Sequence, residues 1–207
     1  PSALIEATIS QHELVGTDLW RMALSIPGWS GPEPEPGQFV MVRASEVADP
    51  LLGRPFGVAG FENKGGSAVL EIIYRVVGRG TELMSGWTTG KKVGWRGPLG
   101  RGFSMPPEGS RSVLVAGGVG LPPLLALARR MAQLERAEEV TLLYGESSRD
   151  RLLHLESRIF PGVDTYTCTE DGSCGTKGRV TEVLSGRIDE SGVHLYIGGP
   201  NPMMQEG

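Results

Sequence analysis

The sequence predicts a chain of two parts, an antiparallel β-barrel followed by a parallel α/β domain. In the first half, short alternating strands succeed one another with turn signals between them, as where GPEPEPG precedes QFVMVRA. In the second half, strand patterns alternate with helix patterns, as where SVLVA precedes PPLLALARRMAQL. The turn PPEGS at 106–110 separates the two rhythms, so we expect domains at 1–107 and 108–207.

The strands of the first half are predicted from a hydrophobic period of two. The segments ALIEATIS, LWRMALSI and AVLEIIYRVV alternate, and in the last of these Leu70, Ile72, Tyr74 and Val76 share a face. QFVMVRA and PFGVAGF are further candidates, and KKVGWRG is a weaker one. TELMSGW, before the last strand, indicates one or two helical turns.

The second half is predicted to contain strands at SVLVA, VTLLYG, VDTYTCT and VHLYIGG. PPLLALARRMAQL is predicted as a helix because Leu124, Leu127, Met131 and Leu134 recur at helical spacing. LLHLESRIF and GRVTEVLSG are the other helical candidates. The sequence ends soon after the last strand, where a helix beginning near Pro202 would have barely two turns, so we expect this domain to be truncated at its C-terminal end.

Composition excludes several classes of function. A net charge of -4 gives no support for nucleic-acid binding, and no apolar run is long enough to span a membrane. The two cysteines, Cys168 and Cys174, are too few for a disulfide framework or a four-thiolate cluster, and the three histidines have no metal-binding or triad spacing. We therefore expect a cytoplasmic protein with no metal site in this chain.

The segment AGGVGLPP joins a predicted strand to a predicted helix. Gly117, Gly118 and Gly120 would let the backbone turn tightly and approach a ligand, and Pro122 suits the first turn of a helix. The N–H groups at such a helix start favour a pyrophosphate. The alternative is a plain turn that connects two elements, and the segment alone leaves both open.

Four other residues are candidates for ligand contacts. Arg54 before a strand could bind a phosphate, and Thr81 could cap a helix whose N–H groups hold an anion. Glu170 and Asp171, after a strand of the second half, could contact ribose hydroxyls. In each case an ordinary surface or capping role is the alternative.

The order of the motifs is more specific than any one of them. DPLLGRPF, IIYRVVGRGT, GPLGRGF, AGGVGLPPLL, DGSCGTKG and GGPNPMM follow one another along nearly the whole chain. This series resembles the ferredoxin–NADP reductase superfamily, and within it the electron-transfer subunits of dihydroorotate dehydrogenase. The resemblance implies a Greek-key barrel that binds FAD and a Rossmann-like domain that binds NAD.

The resemblance also implies site residues. The flavin would be contacted by Arg54, Pro55, Phe56, Gly57, Ile73, Tyr74, Arg75, Gly80 and Thr81. NAD would be contacted by Gly117, Gly118, Gly120, Pro122, Glu146, Glu170, Asp171, Gly199 and Pro200. Glu146 suits the ribose diol of NAD, and Arg149 suits the 2′-phosphate of NADP. The two residues therefore favour different cofactors, and we favour NAD.

The implied function is electron transfer between NAD(H) and an FMN-containing dihydroorotate dehydrogenase catalytic subunit, in a heterotetramer, with the cofactors doing the chemistry. Three departures stand against the family pattern: Gly57 replaces a usual serine, Gly53 replaces a usual arginine, and four cluster cysteines are absent. A 2Fe-2S cluster is expected only if the natural chain extends past residue 207.

Two other functions remain open from the sequence. One is a related flavin subunit, either of a hydrogenase or of an NADH-dependent ferredoxin:NADP oxidoreductase. The motif GPLGRGF argues against this alternative, because those related groups often depart from its ending. The other is a non-catalytic binding module that keeps the flavin-reductase fold, which Gly53 and Gly57 support weakly.

Overall fold

The computed structural model describes residues 4–43, 53–153, 161–185, 192–200 and 203. The chain divides into two compact units, Pro1–Phe103 and Ser104–Gly207. The division therefore falls a few residues before the turn at 106–110 that the sequence suggested as the boundary.

The first unit is a closed barrel of six strands. They are β1 (Ile5–Gly16), β2 (Leu19–Pro27), β3 (Phe39–Val42), β4 (Arg54–Lys64), β5 (Ser67–Arg75) and β6 (Lys92–Leu99). Their order around the barrel is β1-β2-β5-β4-β3-β6, with antiparallel pairing. Because β3, β4 and β5 are consecutive and β6 returns beside β3, this is a Greek key, and the predicted fold class is confirmed.

The barrel interior is filled by the alternating apolar residues of its strands. Met22, Leu24, Leu70, Ile72 and Trp95 are fully buried there. Closure removes every sheet edge, so the strands need no further cover for their backbone groups. The predicted helical turns form α1 (Arg79–Ser85). Strand β1 runs further than predicted, because its polar second half pairs with β2.

The second unit is a parallel sheet with helices. Its elements are β7 (Ser112–Gly117), α2 (Leu121–Gln133), β8 (Val140–Glu146), β9 (Asp164–Thr169), β10 (Thr176–Lys177), α3 (Val180–Ser185) and β11 (His194–Gly198). The strand order is β10-β9-β8-β7-β11. Strands β8 and β9 extend to one side of β7, and β11 lies on the other. The sheet therefore has a topological switch point between β7 and β11, where open α/β folds bind ligands.

Burial explains why β7 is central. All six of its residues are buried, as expected for a parallel strand covered on both faces. The predicted stripe on α2 is confirmed at Leu124, Leu127 and Met131, which are fully buried. Leu134 was wrongly placed in that stripe: α2 ends at Gln133, and Leu134 lies 45% exposed at its C-cap.

The segment after β8 differs from the prediction. A short 3-10 turn spans Arg149–Arg151, and the next two leucines are buried without being helical. The rest of the predicted helix LLHLESRIF, at 154–160, lies outside the described residues, as does most of the expected C-terminal helix near Pro202. No helix among the described residues is long and apolar enough to cross a membrane.

One arginine fixes the segment that opens the second unit. The Arg136 guanidinium donates to the carbonyl oxygens of Pro106 and Pro107 and pairs with Glu139 at 2.7 Å. Glu139 in turn accepts from the backbone N–H of Gly109. This pairing holds the pKa of Glu139 below and that of Arg136 above their usual values. Residues 106–109 are thereby held against the second unit.

We expect Arg136→Met to loosen this segment, because three backbone groups lose a charged partner or its support. Amide hydrogen exchange should become several-fold faster at Gly109 and its neighbours. Arg130→Met, an exposed arginine on α2, is the matched control and should leave those rates unchanged. Unchanged exchange in the Arg136 variant would contradict this role.

Candidate functional site

Two glycine loops meet at the switch point. The backbone of Gly120 lies so close to Gly198 and Gly199 that any side chain at Gly120 would overlap their backbone atoms. Gly117 and Gly199 both lie against the Met203 sulfur. Gly118 has a φ of +56°, which favours glycine. The structure therefore brings four of the predicted NAD-contacting glycines together, at the carboxyl ends of β7 and β11.

Pro122 stands in the first turn of α2, where its missing N–H costs no helical hydrogen bond. It is buried, and Pro200, after β11, is exposed. The start of α2 and the loop at Gly118 thus present backbone groups with little side-chain bulk, whereas the Met203 side chain lies against Gly117 and Gly199. Such a surface can approach a phosphate closely.

Glu146, at the end of β8, is the acidic residue beside this loop. Its side chain is 6% exposed, and its Oε1 lies 3.7 Å from where a Cβ on Gly118 would stand. The predicted acidic partner of the glycine loop is therefore next to it in space, although β8 follows β7 only after the whole of α2. A carboxylate in this position can accept hydrogen bonds from a ribose diol.

The other two acidic candidates have different surroundings. Asp171 is exposed, and its Oδ1 accepts hydrogen bonds from the N–H and hydroxyl of Ser173, which lower its pKa. Its carboxylate is thus used inside its own loop. Glu170 is exposed at the end of β9, with its backbone N–H donated to the Glu146 carbonyl oxygen.

The two cysteines are free thiols. Cys168 is buried in β9 beside α3, and burial together with Glu170 and Glu182 raises the pKa of its thiol to about 11. It is therefore protonated at neutral pH and a poor nucleophile. Within the described part of the chain, no group of His, Cys, Asp and Glu side chains could hold a metal ion.

In the barrel, Arg54 lies over the start of α1. A Cβ on Gly80 would stand 2.6 Å from Arg54 Nε, so the guanidinium stem lies directly on the glycine backbone. Gly80 is buried in the first turn of α1, where N–H groups have no acceptor within the helix itself. A positive side chain and a helix start therefore share one place, which suits a pyrophosphate.

Thr81 closes the turn into α1. Its Oγ1 accepts from the N–H groups of Val77 and Gly78 and donates to the Gly78 carbonyl oxygen at 2.9 Å. Thr81 was predicted to cap this helix, but Gly78 holds the N-cap position and Thr81 is the third residue of α1, from where it accepts from the Gly78 N–H. Thr81 is 6% exposed, so it shapes the turn from inside.

The three predicted residues on β5 are all buried. Ile73, Tyr74 and Arg75 are 4%, 2% and 7% exposed. The Arg75 guanidinium donates to the Thr17 carbonyl oxygen, which ties β5 to the turn between β1 and β2. Any ligand contact from this stretch would therefore come from its backbone.

Tyr74 belongs to the barrel core, and its hydroxyl lies 2.9 Å from His12 Nε2. His12 Nδ1 lies 2.9 Å from the Trp87 carbonyl oxygen, which can only accept. In the neutral imidazole Nδ1 therefore has the proton, and Nε2 accepts from Tyr74. Burial raises the pKa of Tyr74 above its usual value, which keeps the phenol protonated. Sequence patterns gave no sign of this pairing.

The remaining barrel candidates lie on β4 opposite β3. Phe56 is half-buried, with its ring 5.4 Å from that of Tyr74, while Pro55 is exposed. Gly57 pairs with Phe39 in the ladder. A Cβ on Gly53 would stand 3.2 Å from the Val42 carbonyl oxygen, so the usual arginine would crowd the end of β3.

Comparison with known proteins identifies the second unit by itself and then the chain as a whole. The family model for the oxidoreductase NAD-binding domain matches residues 114–206. A protein of Geobacillus sp. (strain WCH70), named dihydroorotate dehydrogenase B (NAD(+)), electron transfer subunit, is 36% identical over 97% of this chain and 76% of its own. The chain belongs to this family of electron transfer subunits.

A family member from Geobacillus thermodenitrificans (strain NG80-2) is 40% identical over 83% of this chain, and the match spans 65% of that relative's length. Among solved structures, a ferredoxin reductase in carbazole 1,9a-dioxygenase matches 99% of this chain and 64% of its own at 23% identity, with a TM-score of 0.83. The structure of an NADH-dependent reduced ferredoxin-NADP oxidoreductase matches 99% of this chain and 71% of its own at 24% identity, with a TM-score of 0.79. These two likenesses concern the fold.

Gly120→Ala tests the contact between the glycine loops. The added methyl group has no space against Gly198, so one loop must move, and we expect a loss of about 1–3 kcal/mol in unfolding free energy. Denaturant unfolding followed by circular dichroism measures it. Val119→Ala, which shortens a half-exposed side chain in the same loop, should cost far less. Equal costs for both variants would contradict the close approach.

Proposed function

We propose that this chain is an FAD-containing electron-transfer subunit that passes electrons between NAD(H) and a dihydroorotate dehydrogenase catalytic subunit carrying FMN, in pyrimidine biosynthesis. The observation that supports it most is the switch point, where Gly120 and Gly198 leave a backbone surface beside the Glu146 carboxylate. The name of the family, dihydroorotate dehydrogenase B (NAD(+)), electron transfer subunit, supports the choice of partner and reaction.

In this proposal NAD(H) binds the second unit. Gly117, Gly118, Gly120 and Pro122 cradle its pyrophosphate, while Gly199 and Pro200 lie towards the nicotinamide. Glu146 accepts hydrogen bonds from the adenosine ribose, and this favours NADH over NADPH. Glu170 and Asp171 border the same edge of the sheet, where Glu170 has the better access because Asp171 is bonded to Ser173.

FAD binds the barrel. Arg54 pairs with its pyrophosphate above Gly80 and Thr81, where the absence of a side chain at Gly80 allows the close approach. Phe56, Pro55 and Gly57 offer an apolar and backbone surface to the flavin ring. The stretch Ile73–Arg75 contributes backbone groups, because its side chains are buried or already bonded.

A bound flavin supplies the acceptance of a hydride and the release of its two electrons one at a time. The chain's own residues bind and orient the two cofactors. Neither Cys168, which stays protonated, nor the structural Tyr74–His12 pair is assigned a step. The protein acts through positioning, with Arg54 and Glu146 as the charged contacts.

We assign no onward electron route to the partner among these residues. A 2Fe-2S centre takes four cysteines and this sequence holds two, so such a centre is proposed only for a chain that extends past residue 207. We propose a heterotetramer with the catalytic subunit, in the cytoplasm.

A visible spectrum of the chain with added FAD, before and after anaerobic NADH, tests the proposal. We expect a bound-flavin spectrum that bleaches with NADH. Flavin that binds but does not bleach would remove NADH as the donor. A chain that takes up no FAD would overturn the proposal and favour the binding-module alternative.

Arg54→Met tests the proposed flavin site independently of the proposed NAD site. We expect FAD affinity to fall by about tenfold or more, the effect of one charge-assisted hydrogen-bonded contact, while NAD affinity stays unchanged. Quenching of flavin fluorescence on titration measures it. Arg96→Met, an exposed arginine of β6 outside the site, is the control and should bind FAD normally. Equal affinity of the Arg54 variant and wild type would rule out this contact.

A further inference from the structure

The Glu146 carboxylate is held by a defined hydrogen-bond chain. The backbone N–H of Leu153 donates to the hydroxyl of Tyr144 at 3.2 Å. The hydroxyl of Tyr144 lies 3.3 Å from Glu146 Oε1 and donates to it, since a carboxylate only accepts. Tyr144 is 1% exposed, so the donor is fixed in place. One oxygen of Glu146 is thereby oriented from inside the protein.

A cation faces the other oxygen. Arg151 Nε lies 3.8 Å from Glu146 Oε2, and the Arg151 side chain is 39% exposed. The 3-10 turn at Arg149–Arg151 puts Arg151 on this side. Arg149, which the sequence suggested as a possible contact for a 2′-phosphate, is exposed at the start of the turn, and its backbone N–H donates to Ser173 Oγ. The arginine that faces Glu146 is therefore Arg151.

This pair lies where the adenosine ribose is placed by the proposed function, beside Gly118. We propose that Arg151 is a receptor for a ribose 2′-phosphate that Glu146 masks, so that the Glu146–Arg151 pair sets the choice between NAD(H) and NADP(H). The inference rests on the proposed NAD site and deepens it. It assigns the cofactor choice to two opposed charges instead of to the carboxylate alone.

The chemistry of the two cofactors explains the masking. A ribose diol donates two hydrogen bonds, which a carboxylate accepts. A 2′-phosphate is a dianion near neutral pH, so it repels Glu146 and pairs with a guanidinium. While Glu146 is charged, Arg151 is attracted to it, and a phosphate must compete with that attraction at short range. Without the carboxylate charge, the same guanidinium can meet the phosphate.

The test is a double-mutant cycle on the FAD-loaded chain, with NAD⁺ and NADP⁺ as probes and isothermal titration calorimetry as the readout. The variants are Glu146→Gln, Arg151→Met and the two together. Arg149→Met, alone and with Glu146→Gln, is the matched control. Oxidised nucleotides leave the flavin oxidised, so binding is measured without turnover.

Glu146→Gln should raise NADP⁺ affinity by about tenfold or more and lower NAD⁺ affinity. Adding Arg151→Met should abolish that gain, whereas adding Arg149→Met should leave it intact. In the wild-type background, Arg151→Met should weaken NADP⁺ binding relative to NAD⁺ binding. Because Arg151 is partly exposed, this last variant should fold even if Glu146→Gln does not.

A gain of NADP⁺ affinity that survives Arg151→Met would overturn the inference, as would a gain that depends on Arg149. So would NADP⁺ affinity that Arg151→Met leaves unchanged in the wild-type background. Each of these results leaves NAD⁺ binding, and with it the proposed function, in place. A wild-type chain that binds neither nucleotide would instead remove the proposed NAD site.

Discussion

The second unit depends on the close approach of two backbones, at Gly120 and at Gly198. Strands β7 and β11 pair in parallel register up to Ala116 and Gly198, and the loop that follows β7 then turns across the end of β11. Any side chain at either glycine would push these segments apart. Helix α2 begins at this contact, so its first turn is placed by the absence of two Cβ atoms. The candidate ligand surface at the switch point is a consequence of that packing.

The barrel also contains a close approach that only a glycine allows, but there a side chain lies on a backbone. There a side chain, Arg54, lies on the backbone of Gly80, and Thr81 holds the turn closed from inside. In both units a glycine leaves room at a helix start, so that charge or backbone N–H groups stand close to the surface. The difference is that the barrel supplies a positive side chain, whereas the second unit places a carboxylate, Glu146, beside its loop. In the proposed sites, the positive charge of Arg54 suits a phosphate and the negative charge of Glu146 suits a ribose diol.

The sequence predicted the fold well because both hydrophobic periods are local signals. Alternation indicated the barrel strands, and the stripe on α2 marked its buried face. Long-range arrangement was less accessible: no local pattern shows that Tyr74 bonds His12, or that the polar half of β1 pairs with β2. The same holds for Arg151, since only the turn after β8 decides which of two neighbouring arginines faces Glu146. The glycine loop could be predicted because the spacing of its glycines is a local pattern. Its contact with the end of β11 joins distant parts of the sequence, so no local pattern predicted it.

The two glycines that depart from the family pattern have unequal explanations. At Gly53 the Val42 carbonyl oxygen leaves too little room for a side chain without movement of β3, so glycine fits the local backbone. Gly57 lies opposite Phe39 in the ladder, and nothing in the structure explains the loss of a hydroxyl there. With both side chains absent, the charged contact available to a flavin phosphate on this part of β4 is Arg54. In the proposed flavin site, the described part of β4 therefore offers Arg54 and backbone groups, whose positions are set by the closed barrel.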